Sequence, residues 1–240
     1  MLSLFFFDPL LGNPIYLLAT VLGIVITLVA QVRVKSAFHK YSNVGVLSGM
    51  TGAEAAAAVC RAGGVTGVTI ERSAGFLSDH YDPNDRALRL SPDVYDGRSI
   101  AAIAVAAHEA GHSIQHSENY GPLGLRSVLV PVANIGGRAW WFVFVAGMLL
   151  QSAQSMLGPF LMQLGIILFA VLIFFQLVTL PVEIDASRRA KAVLSSTGIV
   201  SNETEAEGVS KVLDAAAMTY VAAAAASIMQ LIALLMRSRK

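Results

Sequence analysis

Four long apolar runs punctuate the chain, and the segments between them switch to shorter, mixed patterns. A helix of about 20 apolar residues crosses the hydrocarbon core of a bilayer, and four segments reach that length: Pro14–Val32, 128–150, Gly158–Leu180 and Ala215–Met236. The first, "PIYLLATVLGIVITLVAQV", lacks the basic lead-in and small-residue cleavage site of a signal peptide, so it reads as a retained anchor. In the second, Asn134, Gly136, Gly137 and Arg138 precede the run "FVFVAGMLL". Trp140 and Trp141 are expected to mark an interface there, which leaves Arg138 among headgroups. The third is the most uniformly apolar, and the fourth is alanine-rich, suited to packing against protein as well as lipid.

The stretch between the first two runs has soluble-protein patterns. "TGAEAAAAVCRAGG" predicts a helix N-capped near Thr51 and stopped by Gly63 and Gly64. "VTGVTIERS" predicts a strand, and "GFLSDHYDPNDRALRLS" a hairpin over 76–91 turning at "DPND". "SPDVYDGRS" is expected to be a loop, and from Ser99 "SIAAIAVAAHEAGHSIQHS" has apolar and small residues at helical spacing. The expected fold is therefore mainly α: a polytopic membrane protein with about four transmembrane helices and a cytoplasmic α+β portion. Its organisation would be an N-terminal anchor (1–32), a cytoplasmic portion (33–127), two membrane helices (128–182), and a cytoplasmic helix followed by a C-terminal membrane helix (183–240).

Composition agrees: 55% hydrophobic and only 14% charged residues lie outside the usual globular range. A net charge of +1, with no basic block and no glycine-rich phosphate loop, excludes nucleic acid as a partner. The lone Cys60 excludes an internal disulfide and reads as a buried apolar residue. Lysine and arginine concentrate at Arg33–Arg126 and 188–211, whereas the first fourteen residues and the turn "QSAQSML" have none, so the two charged segments are expected to be cytoplasmic. The terminal "RSRK" disagrees, since four full crossings would place it outside.

The candidate chemistry sits at "AAHEAGHSIQH". His108 and His112 lie on one face of a helix about 6 Å apart along its axis, close enough for both imidazoles to bind one ion, with Glu109 beside them. This H-E-x-x-H spacing on a helix points to zinc held by two histidines, with the glutamate handling the proton of an attacking water. His116 lies about 12 Å from His108 along the helix and is excluded as the third ligand. Among His39, His80, Asp185 and Glu183, Glu183 is best placed, because it opens "EIDASRRA" directly after the third apolar run. Two imidazoles and one carboxylate would leave the fourth position open, as catalytic zinc requires.

Three ordered blocks, "LSDHYDPNDRALRLSPDVY", "SIAAIAVAAHEAGHSIQH" and "LPVEIDASRRA", resemble the YugP-like membrane zinc metallopeptidases of bacteria. The resemblance runs from the first apolar run to the last and implies a neutral zinc peptidase in the cell membrane, acting on protein or peptide substrates. More distantly, "EIDAS" is similar to the E-x-x-A-D block of HtpX-type and CaaX prenyl protease-type enzymes, where the glutamate binds zinc; this implies the same of Glu183. Ser187 stands where those enzymes have aspartate, which leaves open what orients the zinc-bound histidines, Asp185 being one candidate. Together these readings imply a zincin-like endopeptidase with Zn2+ on His108, His112 and Glu183 and with Glu109 as base. Candidate oxyanion donors are His80, Tyr81, His116, Arg188 and Arg189. An extended substrate is expected to add a strand to the hairpin edge. The alternatives are a scaffold or chaperone-like protein with structural zinc, which would not need Glu109, and a transporter. A transporter would carry ionisable residues near mid-membrane, where the third run has only Gln163 and Gln176, both toward its ends.

Overall fold

The structure is a computed structural model that describes residues 14–75 and 78–238. In chain order its elements are α1 (Pro14–Ser42), α2 (Gly52–Ala62), β1 (Thr69–Arg72), β2 (His80–Asp82), β3 (Ala87–Leu90), α3 (Pro92–Tyr95), α4 (Ile100–Ser117), α5 (Gly121–Ser152), α6 (Leu157–Ser196) and α7 (Glu203–Ser238). It is mainly helical, with one small mixed sheet. Four helices are long and apolar enough to cross a membrane: α1, α5, α6 and Glu203–Met236 of α7.

The chain forms two compact units. The described part of the first comprises residues 14–29, 125–179 and 220–238. Its interior is small and aromatic: Tyr16, Phe144, Ile166, Phe169, Ile173, Ala233 and Leu234 are buried together. The α5 and α6 backbones approach closely because Gly147 has no side chain; a Cβ there would stand 2.5 Å from the Met162 nitrogen. Trp140 is partly buried and stacks on Phe169 with ring centroids 4.3 Å apart. Trp141 is exposed, as are Val21, Phe142 and Phe160. An apolar outer face of this kind is what lipid solvates.

The second unit holds residues 30–124 and 180–219. Helix α4 is its centre, and apart from Val105 and His108 every residue from Ile100 to Gln115 is buried. A helix apolar nearly all round must be enclosed by protein, and its alanines permit that enclosure. Ala55, Ala56 and Val59 of α2 pack on it, with Leu88 and Leu90 of β3, Ala190 and Leu194 of α6, and Val209, Val212 and Leu213 of α7. Burying each of the larger aliphatics contributes roughly 1.5–3 kcal/mol.

Local signals explain most element ends. Thr51 caps α2 in a reciprocal box: its side chain accepts the Glu54 N–H at 3.2 Å, and Glu54 Oε2 accepts the Thr51 N–H at 2.7 Å. Ser99 caps α4 by accepting the Ala102 N–H. The "DPND" turn is tied by Asp82 Oδ1, which accepts the Asn84 N–H at 2.9 Å. Two details differ from the sequence reading. The expected loop 91–99 contains α3, started by Pro92 after Ser91, where proline's fixed φ suits a first helical turn. The hairpin is also not free-standing, since β1 joins β3 in parallel and the sheet order is β1-β3-β2.

Candidate metal centre

His108, Glu109 and His112 all lie on α4, and Glu183 comes from α6. The long-range contact is close: Glu183 Oε2 is 3.1 Å from His108 Nε2 and 3.6 Å from His112 Nε2. The three ligand-type atoms lie within 4.8 Å of one another. Glu183 is almost fully buried and His112 is buried, so the cluster is screened from bulk water while His108 keeps partial exposure. What allows α4 and α6 to come this near is Gly111, where a Cβ would meet the Ala186 carbonyl oxygen at 2.6 Å.

The outer nitrogens of both rings are held by the protein. His108 Nδ1 is hydrogen-bonded to Ser187 Oγ at 3.0 Å, so the residue that departs from the E-x-x-A-D pattern still does the orienting. His112 Nδ1 is 2.9 Å from Gln115 Oε1. The Gln115 amide can point only one way, because its Nε2 donates to the Val182 carbonyl at 2.8 Å and to Asp185 Oδ2 at 3.0 Å. Its oxygen therefore faces His112 and accepts from Nδ1, which leaves Nε2 as the nitrogen that faces Glu183. Asp185 is anchored in turn by Arg188 and by Arg189, and Arg189 also reaches Glu118 at 2.6 Å. Asp185 thus acts on His112 through Gln115, a residue the sequence reading missed. The available signal was a buried amide three residues after His112, on the same side of an otherwise apolar helix.

The cluster favours positive charge. Burial of His112 disfavours its protonated form, but the Glu183 hydrogen bond and the charges of Glu109 and Glu183 outweigh that and raise its pKa above the ordinary imidazole value. Two imidazole Nε2 atoms, their rings held from behind by hydrogen bonds, and a carboxylate oxygen are the donor set that suits zinc. The residues present fit such an ion.

Glu109 is buried at the rim, and its Oε2 accepts the backbone N–H of Tyr81 at 3.1 Å. Tyr81 Oη in turn lies 2.8 Å from His116 Nδ1, and burial pushes the phenol's pKa up, keeping it a donor. The other candidates are placed elsewhere. His80 is exposed with Nδ1 on the Ser78 carbonyl, and Arg188 and Arg189 are held in their ion pairs. His39 lies in the last turn of α1 and is not in the cluster. Cys60 is buried, with Sγ 3.4 Å from Ser113 Oγ. The expected strand addition meets an obstacle at β2, the hairpin's own edge and one of the two edges of the sheet, because the N–H of its central residue is already donated to Glu109.

Four apolar helices together with a two-histidine, one-glutamate cluster define a class, a multi-pass membrane protein with a site that could hold a metal ion. The chain belongs to the family described as "Putative neutral zinc metallopeptidase", which it matches over residues 16–239. It is 47% identical over 222 residues to the "Putative membrane protease YugP" of Bacillus subtilis (strain 168), covering 92% of this chain and 96% of that one. No solved structure matches it at a significant level.

Proposed function

We propose that the protein is a zincin-like membrane endopeptidase that hydrolyses peptide bonds of protein or peptide substrates near the membrane surface, with its centre on the cytoplasmic side. The observation that carries this is the convergence of Glu183 on His108 and His112 beside a buried Glu109. Zinc bound by His108, His112 and Glu183 would polarise a scissile carbonyl and bring the pKa of a water toward about 7. Glu109, fixed by the Tyr81 N–H, takes the proton of the attacking water and delivers it to the leaving amine. The Tyr81 phenol, supported by His116, is the assigned donor to the developing oxyanion. Ser187, Gln115 and Asp185 orient the ligands and take no part in proton transfer. The cytoplasmic side follows from the lysines and arginines gathered at 33–126 and 188–211.

The test is paired: elemental metal analysis and casein cleavage on detergent-purified wild type and Glu109→Gln. One zinc per chain in both, with cleavage by the wild type alone, is the expected result. Equal cleavage by Glu109→Gln would replace this reading with one in which Glu109 is dispensable.

A further inference from the structure

Tyr81 lines a cavity of about 310 Å³. Its walls include Thr66, Tyr81, Arg86, Ser113, His116 and Asn119, and none of its lining residues is acidic. Tyr81 belongs to both places, since its N–H meets Glu109 and its phenol meets His116 in the cavity wall. His116 itself is one helical turn beyond His112. The cavity therefore shares Tyr81 with the surroundings of Glu109.

Arg86 is the unusual wall. It ends the hairpin turn with φ of 50°, the left-handed region that glycine occupies at little cost, while its carbonyl accepts the Thr69 N–H at 3.1 Å. Arginine keeps a strained backbone here where glycine would relax it, and such strain clusters at functional positions. Its charge is also unspent. Arg89 nearby is held by Glu71, Asp82 and Asp85, whereas no carboxylate among the described residues pairs with Arg86. A solvent-facing cation at the mouth of a cavity with neutral, hydrogen-bonding walls selects an anion that can be forked by a guanidinium.

We infer that this cavity is a substrate subsite that binds a carboxylate of the peptide, with Arg86 as its specificity determinant. The inference rests on the peptidase reading for its substrate class, but the site can be tested by binding alone. The carboxylate can come from an internal glutamate or from the peptide's C-terminus, and the probes separate the two.

The experiment uses the full chain carrying Glu109→Gln, zinc-loaded in detergent, with fluorescent peptides that differ only in an internal Glu, Gln or Lys. Each is made with a free and an amidated C-terminus. Fluorescence anisotropy should show the carboxylate-bearing member of a pair binding about tenfold more tightly. Adding Arg86→Gly, which suits φ of 50° and so keeps the turn, should bring that ratio to about one; Arg86→Glu should turn it toward the Lys peptide. A preference that follows the internal Glu supports a side-chain subsite, and one that follows the free terminus supports a terminal one. Equal binding of all members, or a preference that survives Arg86→Gly, overturns the inference. The same peptides with Glu109 intact report cleavage separately, so failure of the subsite is distinguishable from failure of the peptidase reading.

Discussion

Replacing Gly111 with alanine sets two effects of opposite sign against each other. In an exposed helix the change would stabilise by about 0.8–1.0 kcal/mol, because alanine is the better helix former. Here the new Cβ would lie 2.6 Å from the Ala186 carbonyl oxygen, a rigid backbone atom, when ordinary contact begins at 3.4 Å. Relief needs α4 and α6 to separate by roughly 0.8 Å, several times the ±0.2 Å within which metal–ligand distances are held. Overpacking of this kind costs about 1–3 kcal/mol, which outweighs the propensity gain. His112 is adjacent to Gly111, and Glu183 precedes Ala186 by one turn, so the separation falls on the ligand set itself. The expected outcome is a melting temperature lower by a few degrees, zinc affinity reduced at least tenfold, and peptide turnover lower by about 10²-fold. Chelator competition, thermal melts in detergent and a cleavage assay measure the three. A variant that melts higher than wild type and keeps its zinc would refute the claim that this glycine sets the helix approach.

Two further outcomes follow from the polar partners of the site and the hairpin. Gln115→Leu leaves His112 Nδ1, the Val182 carbonyl and Asp185 without their amide, and should lower zinc affinity about 10–100-fold while leaving the ion present at saturating zinc; chelator competition reads it. Asp82 is held below its ordinary pKa, chiefly by the Arg89 hydrogen bond. A depressed carboxylate pKa gives stability that is fully present above the unfolded value of about 3.9 and is lost as pH falls through the lower folded value. Hairpin amide exchange should therefore accelerate in that acid window in the wild type, and Asp82→Asn should show the faster exchange already at neutral pH, with less further change.

The parts of the fold that were legible are those written in local periodicity. Four apolar runs became four long helices, Thr51 and Ser99 became caps, and "DPND" became a turn, because each signal acts within a few residues. The structure also brings Glu183 to His108 and His112, the three residues the sequence grouped because a pair on one helix face needs a third donor from elsewhere to hold an ion. What escaped was set by distant partners. The parallel pairing of β1 with β3 joins strands separated by β2 in the chain, which no local pattern encodes. Gln115 reads as an ordinary polar residue until Val182 and Asp185 are seen to fix its amide.

The edge strand carries one more consequence. Tyr81 gives its N–H to Glu109, and Pro83, the next position on that side of the chain, has no N–H to give. A protein that handles loose polypeptide is exposed to chains that would zip onto any bare sheet edge and stay there. Strand β2 is only three residues long and withholds its central donor, so it offers such chains little to template on. An extended chain reaching this edge of the sheet would then find few backbone partners.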